Sequence, residues 1–312
     1  MDKKQKILDS LDILRIRDLQ SGEKFSALAY TKAIRELNKL DSITSIEDVE
    51  GVAGVGKKIK EKIQEILTTG SLEAATTAMK DLKIDVYQDL LQVYGIGPVK
   101  AKELIEKDKI TSIEDLRSKP ELLNEKQIIG LKYYEDMKER IPRKEMDEHN
   151  KYIQKFIKEP CEATIVGSYR REAESSGDID VLIKAPDDFN SKDLVHSMVK
   201  SKYIVDILAL GSKKCMAFVK LKNGKVRRMD LLITPEKEYP YALLYFTGSD
   251  SFNVAFRKYA LTKGYTLNEH RLSKTNDESE LKGIKTEKQI FRFFGLKYKE
   301  PKDRKDESSI LP

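Results

Sequence analysis

The chain has 312 residues, with 58 Lys+Arg against 52 Asp+Glu and 39% hydrophobic residues, enough for several domains with their own cores and too long for a peptide or a stapled mini-protein. Two cysteines, Cys161 and Cys215, and three histidines, His149, His196 and His270, argue against a disulfide framework and against a His/Cys zinc site. The opening MDKKQKILDSLDILRIRDLQ lacks the apolar core of a signal peptide and no run approaches a membrane span, so the expectation is a soluble, intracellular protein without a membrane partner.

Residues 1–145 carry 27 Lys+Arg and 27 Asp+Glu, while residues 146–312 carry 31 and 25 and hold the whole excess of +6. Mean basicity of the first half is therefore no argument for nucleic acid; local clusters have to carry it. That half reads as helical and contains a near-repeat, GVAGVGKKIKEKIQEIL at 51–67 and VYGIGPVKAKELIEK at 93–107. Each copy is an apolar residue, Gly-apolar-Gly and a Lys-rich amphipathic helix. SITSIEDVE (42–50) is echoed by KITSIEDLR (109–117), where Thr44 or Ser45 and Thr111 or Ser112 are natural helix caps. Two copies of one DNA-handling unit is the simplest reading.

Within the first copy Lys58 and Lys62 lie four apart on one helix face, with Lys57 and Lys60 nearby. Crowded ammonium groups favour a neutral, nucleophilic amine, although a solvated basic face explains the same spacing. The segment ERIPRKEM (139–146), with Pro142, predicts a hinge. From Glu162 onward the pattern changes to short β-branched runs, ATIVGS, IDVLIKA, AFVKLK and VRRMDLLIT, separated by turn residues, which predicts a sheet. The charged end, YKEPKDRKDESSILP, is expected to be loose at its tip.

GSYRREAESSGDID (167–180) places Asp178 and Asp180 two apart, so an extended strand points both to one face. Like charges at that range repel unless cations neutralise them, and carboxylate oxygens suit Mg²⁺. Asp230, on one face of VRRMDLLIT with Val226, Arg228 and Leu232, would join them from a neighbouring strand. Three carboxylates can hold two Mg²⁺ ions for in-line phosphoryl transfer. A bare Asp-x-Asp fits a polar turn as well, but Gly167-Ser168, where a strand would end, offers N–H groups and a hydroxyl to phosphate, with Arg170 and Arg171 as cations beside them.

Gly-Ser, a spacer and Asp-x-Asp resembles the nucleotidyltransferase superfamily. The fuller strings GSYRREAESSGDIDVLI, LKYYEDMKERIPRKEM, LLYFTGSDSFNVAFRKYALTKGYTLNEH and KYKEPKDR resemble family X DNA polymerases in the same order over nearly the whole chain. The resemblance implies a multidomain protein: α-helical lyase-like and helix-hairpin-helix domains, then an α+β nucleotidyltransferase palm with a mixed sheet and a small α/β C-terminal subdomain. The expected divisions are 1–81, 82–145, 146–234 and 235–312. Asp178, Asp180 and Asp230 would be the ligands of two Mg²⁺ ions, with Asp230 taking the primer hydroxyl's proton. Arg140, Ser168, Arg171 and Gly177 would bind the triphosphate. Tyr245, Phe246 and Gly248 would meet the sugar, and Asp250 and Asn253 would flank the incoming base. Arg228 would lie near the primer end and Arg257 at the template minor groove.

In the hairpins, Gly54, Gly56, Gly95 and Gly97, with Lys58, would face DNA. The carbonyls of Glu50, Val52 and Val55, and of Leu91, Val93 and Ile96, would hold a monovalent cation, Na⁺ or K⁺. Lys62 would be the nucleophile of a 5′-deoxyribose phosphate lyase. Phe25, Ser26, Glu50 and Ala74 depart from the family's 5′-phosphate pocket, where it carries His or Lys; Leu232 and Val254 depart at an arginine and a lysine. The implied activity is template-directed filling of short DNA gaps in base excision repair, with dNTPs and gapped or nicked duplex as partners. The protein is expected to work as a monomer, in the nucleus of a eukaryote or otherwise the cytoplasm. The alternatives are a template-independent nucleotidyltransferase and a polymerase whose lyase function has lapsed.

Overall fold

The computed structural model describes residues 3–81, 84–276 and 279–310. Leu82, where a second DNA-binding segment was expected to begin, lies outside them. The chain divides into two compact units, residues 1–134 and 135–312.

The first unit is helical among its described residues: α1 (Lys3–Ser21), α2 (Lys24–Asn38), α3 (Lys57–Thr69), α4 (Glu73–Asp81), α5 (Ile84–Gln92), α6 (Pro98–Glu106), α7 (Ile113–Arg117) and α8 (Glu125–Lys132), with α9 (Tyr134–Met137) at the division. α3 shows why: Ile59, Ile63 and Ile66 recur at helical spacing and are buried, while Lys57 and Lys58 stay outside. Gly56 starts the helix, and Gly70, at φ +80, ends it in the left-handed conformation. α6 starts on Gly97 with Pro98 in its first turn and buries Ala101 and Leu104. The near-repeat is thus a repeated turn-helix structure. Its tails differ in detail. Ser112 caps α7 by accepting from Asp115 N at 3.0 Å. In the first copy Asp48 reaches back to Thr44 N and Ser45 N, and only a 3₁₀ turn, Glu47–Val49, follows.

The second unit is built on a five-stranded sheet. Its elements in order are β1 (Ile141–Pro142), α10 (Arg143–Gln154), β2 (Glu162–Ile165), α11 (Gly167–Arg170), β3 (Ser175–Ser176), β4 (Ile179–Ala185), α12 (Ser191–Lys200), β5 (Ile204–Leu210), β6 (Lys214–Lys220), β7 (Val226–Pro235), α13 (Tyr239–Thr247), α14 (Asp250–Thr262), β8 (Tyr265–Leu267), β9 (Leu272–Lys274) and α15 (Glu287–Phe293). The sheet order is β2-β4-β7-β6-β5, mixed, with β4 and β7 parallel and the other pairs antiparallel. Residues 139–146, where a hinge was expected, instead carry β1, paired with β3, and the first turn of α10.

β4 reads as a nearly continuous apolar run because both faces of the sheet are covered. Ile179, Val181 and Ile183 face a core with Met146, Ile153 and Met198, whereas Leu182 packs with Val166 and Ala242 of α13. By the same alternation Asp180 stands on the α13 side. A separate aromatic core, with Phe252, Phe256 and Phe291, holds α14 and α15. The charged C-terminal segment is docked: Arg304 is 1% exposed and Ile310 is buried. The expectation of a loose tip is corrected as far as Ile310, because the Arg304 guanidinium finds Glu287 at 2.7 Å and the Lys299 carbonyl at 3.0 Å.

Candidate active site

The register of the parallel pair β4–β7 sets Asp180 directly beside Asp230. Asp178 precedes β4 in a bend, and its carboxylate accepts a bond from Arg228. Lys214 Nζ lies 3.0 Å from Asp230 Oδ2. Each outer carboxylate is therefore held by a cation of the chain, and among the described residues no three acids are drawn into a closed metal cluster. Asp180, between them, is pushed up to about 7 by its burial and then by the charges of Asp178 and Asp230. Asp230 Oδ1 is buried and has no hydrogen-bond partner. Crowded carboxylates with an unpaired buried oxygen fit a hard divalent cation, whose charge and oxygen preference would relieve both features.

Gly167 opens the turn between β2 and α11 at φ +59, a conformation that favours glycine. A Cβ there would come within 2.7 Å of Asp180 Oδ2. Nothing in the sequence reasoning singled Gly167 out for this close approach to the second aspartate. The available signal was a glycine directly after the buried end of a strand.

A cleft of about 420 Å³ is lined by Arg140, Gly167, Ser168, Arg171, Gly177, Asp178, Asp180, Tyr245, Phe246, Gly248, Asp250 and Asn253. The structure thus brings together in one cleft the triphosphate, sugar and base residues expected from the sequence with two of the three aspartates. Arg140 is fixed by bonds from Nε to Ser175 Oγ and from Nη2 to the Ser175 carbonyl, both 2.8 Å. Ser168 Oγ donates to Ser176 Oγ at 2.9 Å. Arg171 Nη1 donates to the Thr247 carbonyl at 2.6 Å, linking the two sides of the cleft. Tyr245 and Phe246 meet edge to face, with centroids 5.2 Å apart. Asn253 Nδ2 donates to the Tyr245 carbonyl at 2.7 Å, so α14 is tied to the end of α13. Arg257, one turn further along α14, is exposed and borders the same helices.

Arg170 corrects the sequence reading. It does not offer its charge to the cleft: its guanidinium is spent on Glu287, at 2.7 and 3.0 Å, and on Thr247 Oγ1 at 2.6 Å. Glu287 is shared with Arg304 and is held low; burial opposes this, and the bonds from Arg170 and the charge of Arg304 outweigh it. Glu287 and Arg304, missed in the sequence, brace the loop that carries Gly248. A larger cavity of about 970 Å³ lies at the opposite ends of β4 and β7, lined by Ala185 and Pro235 among others, away from the aspartates.

In the first unit, Gly54 and Gly95 occupy matching turn positions at φ +84 and +86. Val52 O accepts from Val55 N and Val93 O from Ile96 N, each leaving one lone pair free for a further partner. The carbonyl-bearing residues Glu50 and Leu91 flank the same turns. The second turn is braced by α8: Gln127 Nε2 donates to the Gly95 carbonyl at 2.9 Å, and a Cβ on Gly130 would sit 2.3 Å from the Tyr94 carbonyl. Gly56 and Gly97 precede α3 and α6 in extended conformation. Lys58 is exposed, and Lys62 Nζ reaches the Lys58 carbonyl at 3.4 Å. Lys60 is taken by Glu50 at 2.6 Å.

Four family models match in chain order: a helix-hairpin-helix domain at 2–72, the fingers domain of DNA polymerase lambda at 88–138, the DNA polymerase beta palm at 140–236 and the DNA polymerase beta thumb at 242–305. The chain is 31% identical to DNA polymerase lambda of Rattus norvegicus over 96% of its length and 56% of the relative's. It is 30% identical to DNA polymerase lambda of Arabidopsis thaliana over 91% of this chain and 58% of that one. DNA nucleotidylexotransferase of Xenopus laevis is 28% identical over 80% of this chain and 58% of its own. The chain therefore spans little more than half the length of the curated relatives it matches. Taken with the palm-type sheet and the two turn-helix units, the matches mean that the chain belongs to family X of the DNA polymerases.

Proposed function

We propose that the protein is a template-directed DNA polymerase that fills short gaps, adding dNTPs to a primer 3′-hydroxyl and releasing pyrophosphate. The observation that carries this reading is the single cleft in which Asp178 and Asp180, with Asp230 in register beside them, face Ser168, Arg171, Tyr245 and Asn253. In the reaction the primer oxygen bonds to the α-phosphorus, the bond to the β,γ-pyrophosphate breaks, and the hydroxyl proton passes to Asp230. Asp178, Asp180 and Asp230 would hold Mg²⁺, which would supply positive charge to offset that of the reacting phosphates.

The chain's own groups orient the reactants. Ser168, Arg140, Arg171 and the backbone at Gly177 meet the phosphates, and the Tyr245-Phe246 pair with Gly248 sets the sugar against α13. Asp250 and Asn253 flank the base. Arg228 and Arg257 meet the primer and template strands. Gly54, Gly56 and Lys58, and Gly95 and Gly97, grip duplex backbone without reading sequence, assisted by a monovalent cation on the carbonyls of Glu50, Val52, Val55, Leu91, Val93 and Ile96. Lys62 is the nucleophile of a 5′-deoxyribose phosphate lyase step, in which its amine and the sugar aldehyde form a Schiff base and release water.

The likeness to DNA nucleotidylexotransferase keeps a second reading in view, tailing without template. Primer extension with a gapped duplex and with the free primer strand separates the two. The proposed function requires complementary additions on the duplex and almost none on the free strand; equal extension of both would establish tailing instead.

A further inference from the structure

Asp230 is held asymmetrically. Its Oδ2 faces Lys214 Nζ at 3.0 Å, whereas its buried Oδ1 has no partner. The lysine reaches it across the sheet: Met216 of β6 is the register partner of Asp230, and Lys214, two residues earlier and opposite Leu232, shares that face. The two ends of this pair differ. The Asp230 side chain is 14% exposed, but that of Lys214 is 49% exposed, on a flexible stem whose ammonium can swing into water. Arg228, which holds Asp178, is less exposed, at 37%, and its Nε is buried without a partner.

We propose that Lys214 is the resident counter-cation of Asp230: it pins Oδ2 and is displaced when a divalent cation enters the cleft. This rests on the reading of Asp178, Asp180 and Asp230 as ligands of that cation. A buried carboxylate beside two others is costly to leave uncompensated, so a protein that loads and loses its ions in solution needs a substitute charge. A partly exposed lysine suits that part, because a pair of this kind is weak enough to yield to a dication. Lys214 is accordingly a positioning residue, acting through Asp230.

The test is direct Mn²⁺ binding to the full chain without DNA or nucleotide, followed by the loss of the free Mn²⁺ signal in electron paramagnetic resonance. Lys214→Met removes the competing charge and should bind Mn²⁺ about three- to fivefold more tightly than wild type, the upper size of a partly exposed ion pair. Lys214→Arg, which keeps the charge, should stay within about twofold of wild type on the same scale. A purely structural lysine would lower the unfolding temperature of Lys214→Met without changing Mn²⁺ affinity, and equal or weaker binding by that variant overturns the proposal. Asp180→Asn marks the site. If its binding matches wild type, or if no protein binds Mn²⁺, the ligand assignment itself fails, and the role of Lys214 with it.

Discussion

Gly167 is where a single methyl group decides whether the cleft can form. Its φ of +59 disfavours any side chain, and a Cβ would press to 2.7 Å from Asp180 Oδ2. The carboxylate would have to move away from Asp230, its register partner. Backbone strain of this kind costs about 1–3 kcal/mol, and in the proposed reaction a displaced Asp180 would cost activity far beyond that. Gly167→Ala should therefore lower kcat for nucleotide addition at least about 100-fold while the thermal transition falls by only a few degrees. Comparing gap-filling turnover with the unfolding temperature checks this; unchanged turnover would show that Asp180 has room to spare. Arg170 carries the opposite lesson. Beside Arg171 in sequence it looked like a phosphate cation, yet successive residues at the end of α11 point in different directions, and Arg171 lines the cleft while Arg170 is half-buried against Glu287.

At the scale of elements, much was legible. The apolar spacing of GVAGVGKKIKEKIQEIL gave a helix with its glycine start, and the β-branched runs gave β2, β4, β6 and β7. The pairing of Asp180 with Asp230 followed once both strands were recognised, because a shared face needs only the period of two. β5 was missed: its run, IVDILAL, is interrupted by two register shifts against β6, and it carries exposed Val205, Ile207 and Leu210 at the sheet edge. The docked C-terminal segment was missed because its charges suggested solvent, whereas Arg304 is neutralised inside by Glu287. Glu50 had been noted as a departure from a basic position, and its contact with Lys60 shows what the change does to α3: one of its lysines is occupied by a carboxylate, while Lys58 and Lys62 are left on the face. If Lys62 is a Schiff-base nucleophile, borohydride should trap a covalent adduct with a 5′-deoxyribose phosphate end in wild type and not in Lys62→Ala. No adduct from wild type would mean that α3 serves only to hold DNA.

At the scale of the whole molecule, the second unit owes part of its stability to a histidine kept neutral. His149 is fully buried, its Nδ1 meets the Tyr203 hydroxyl at 2.7 Å, and burial pulls it down to about 4 from the usual 6.5. The unfolded chain takes up a proton that the folded one refuses between pH 6.5 and about 4, so stability is full above that window and is lost as pH falls through it. Between pH 7 and pH 5 the loss from this group is on the order of 2 kcal/mol. Urea titrations at the two pH values should show it in wild type and a smaller loss in His149→Gln; equal losses would mean that the imidazole is accessible to protons in the fold.

The family's architecture and the convergence of the cleft meet in one claim, that Asp178, Asp180 and Asp230 make this chain a gap-filling polymerase. The direct measurement is addition of one nucleotide to a one-nucleotide gap bearing a 5′-phosphate, by wild type and by Asp180→Ala and Asp230→Ala, with binding of the same duplex measured alongside. Wild type should insert the complementary nucleotide, and the two variants should insert none while binding DNA almost as tightly. Insertion by either variant, or none by wild type, would contradict the account.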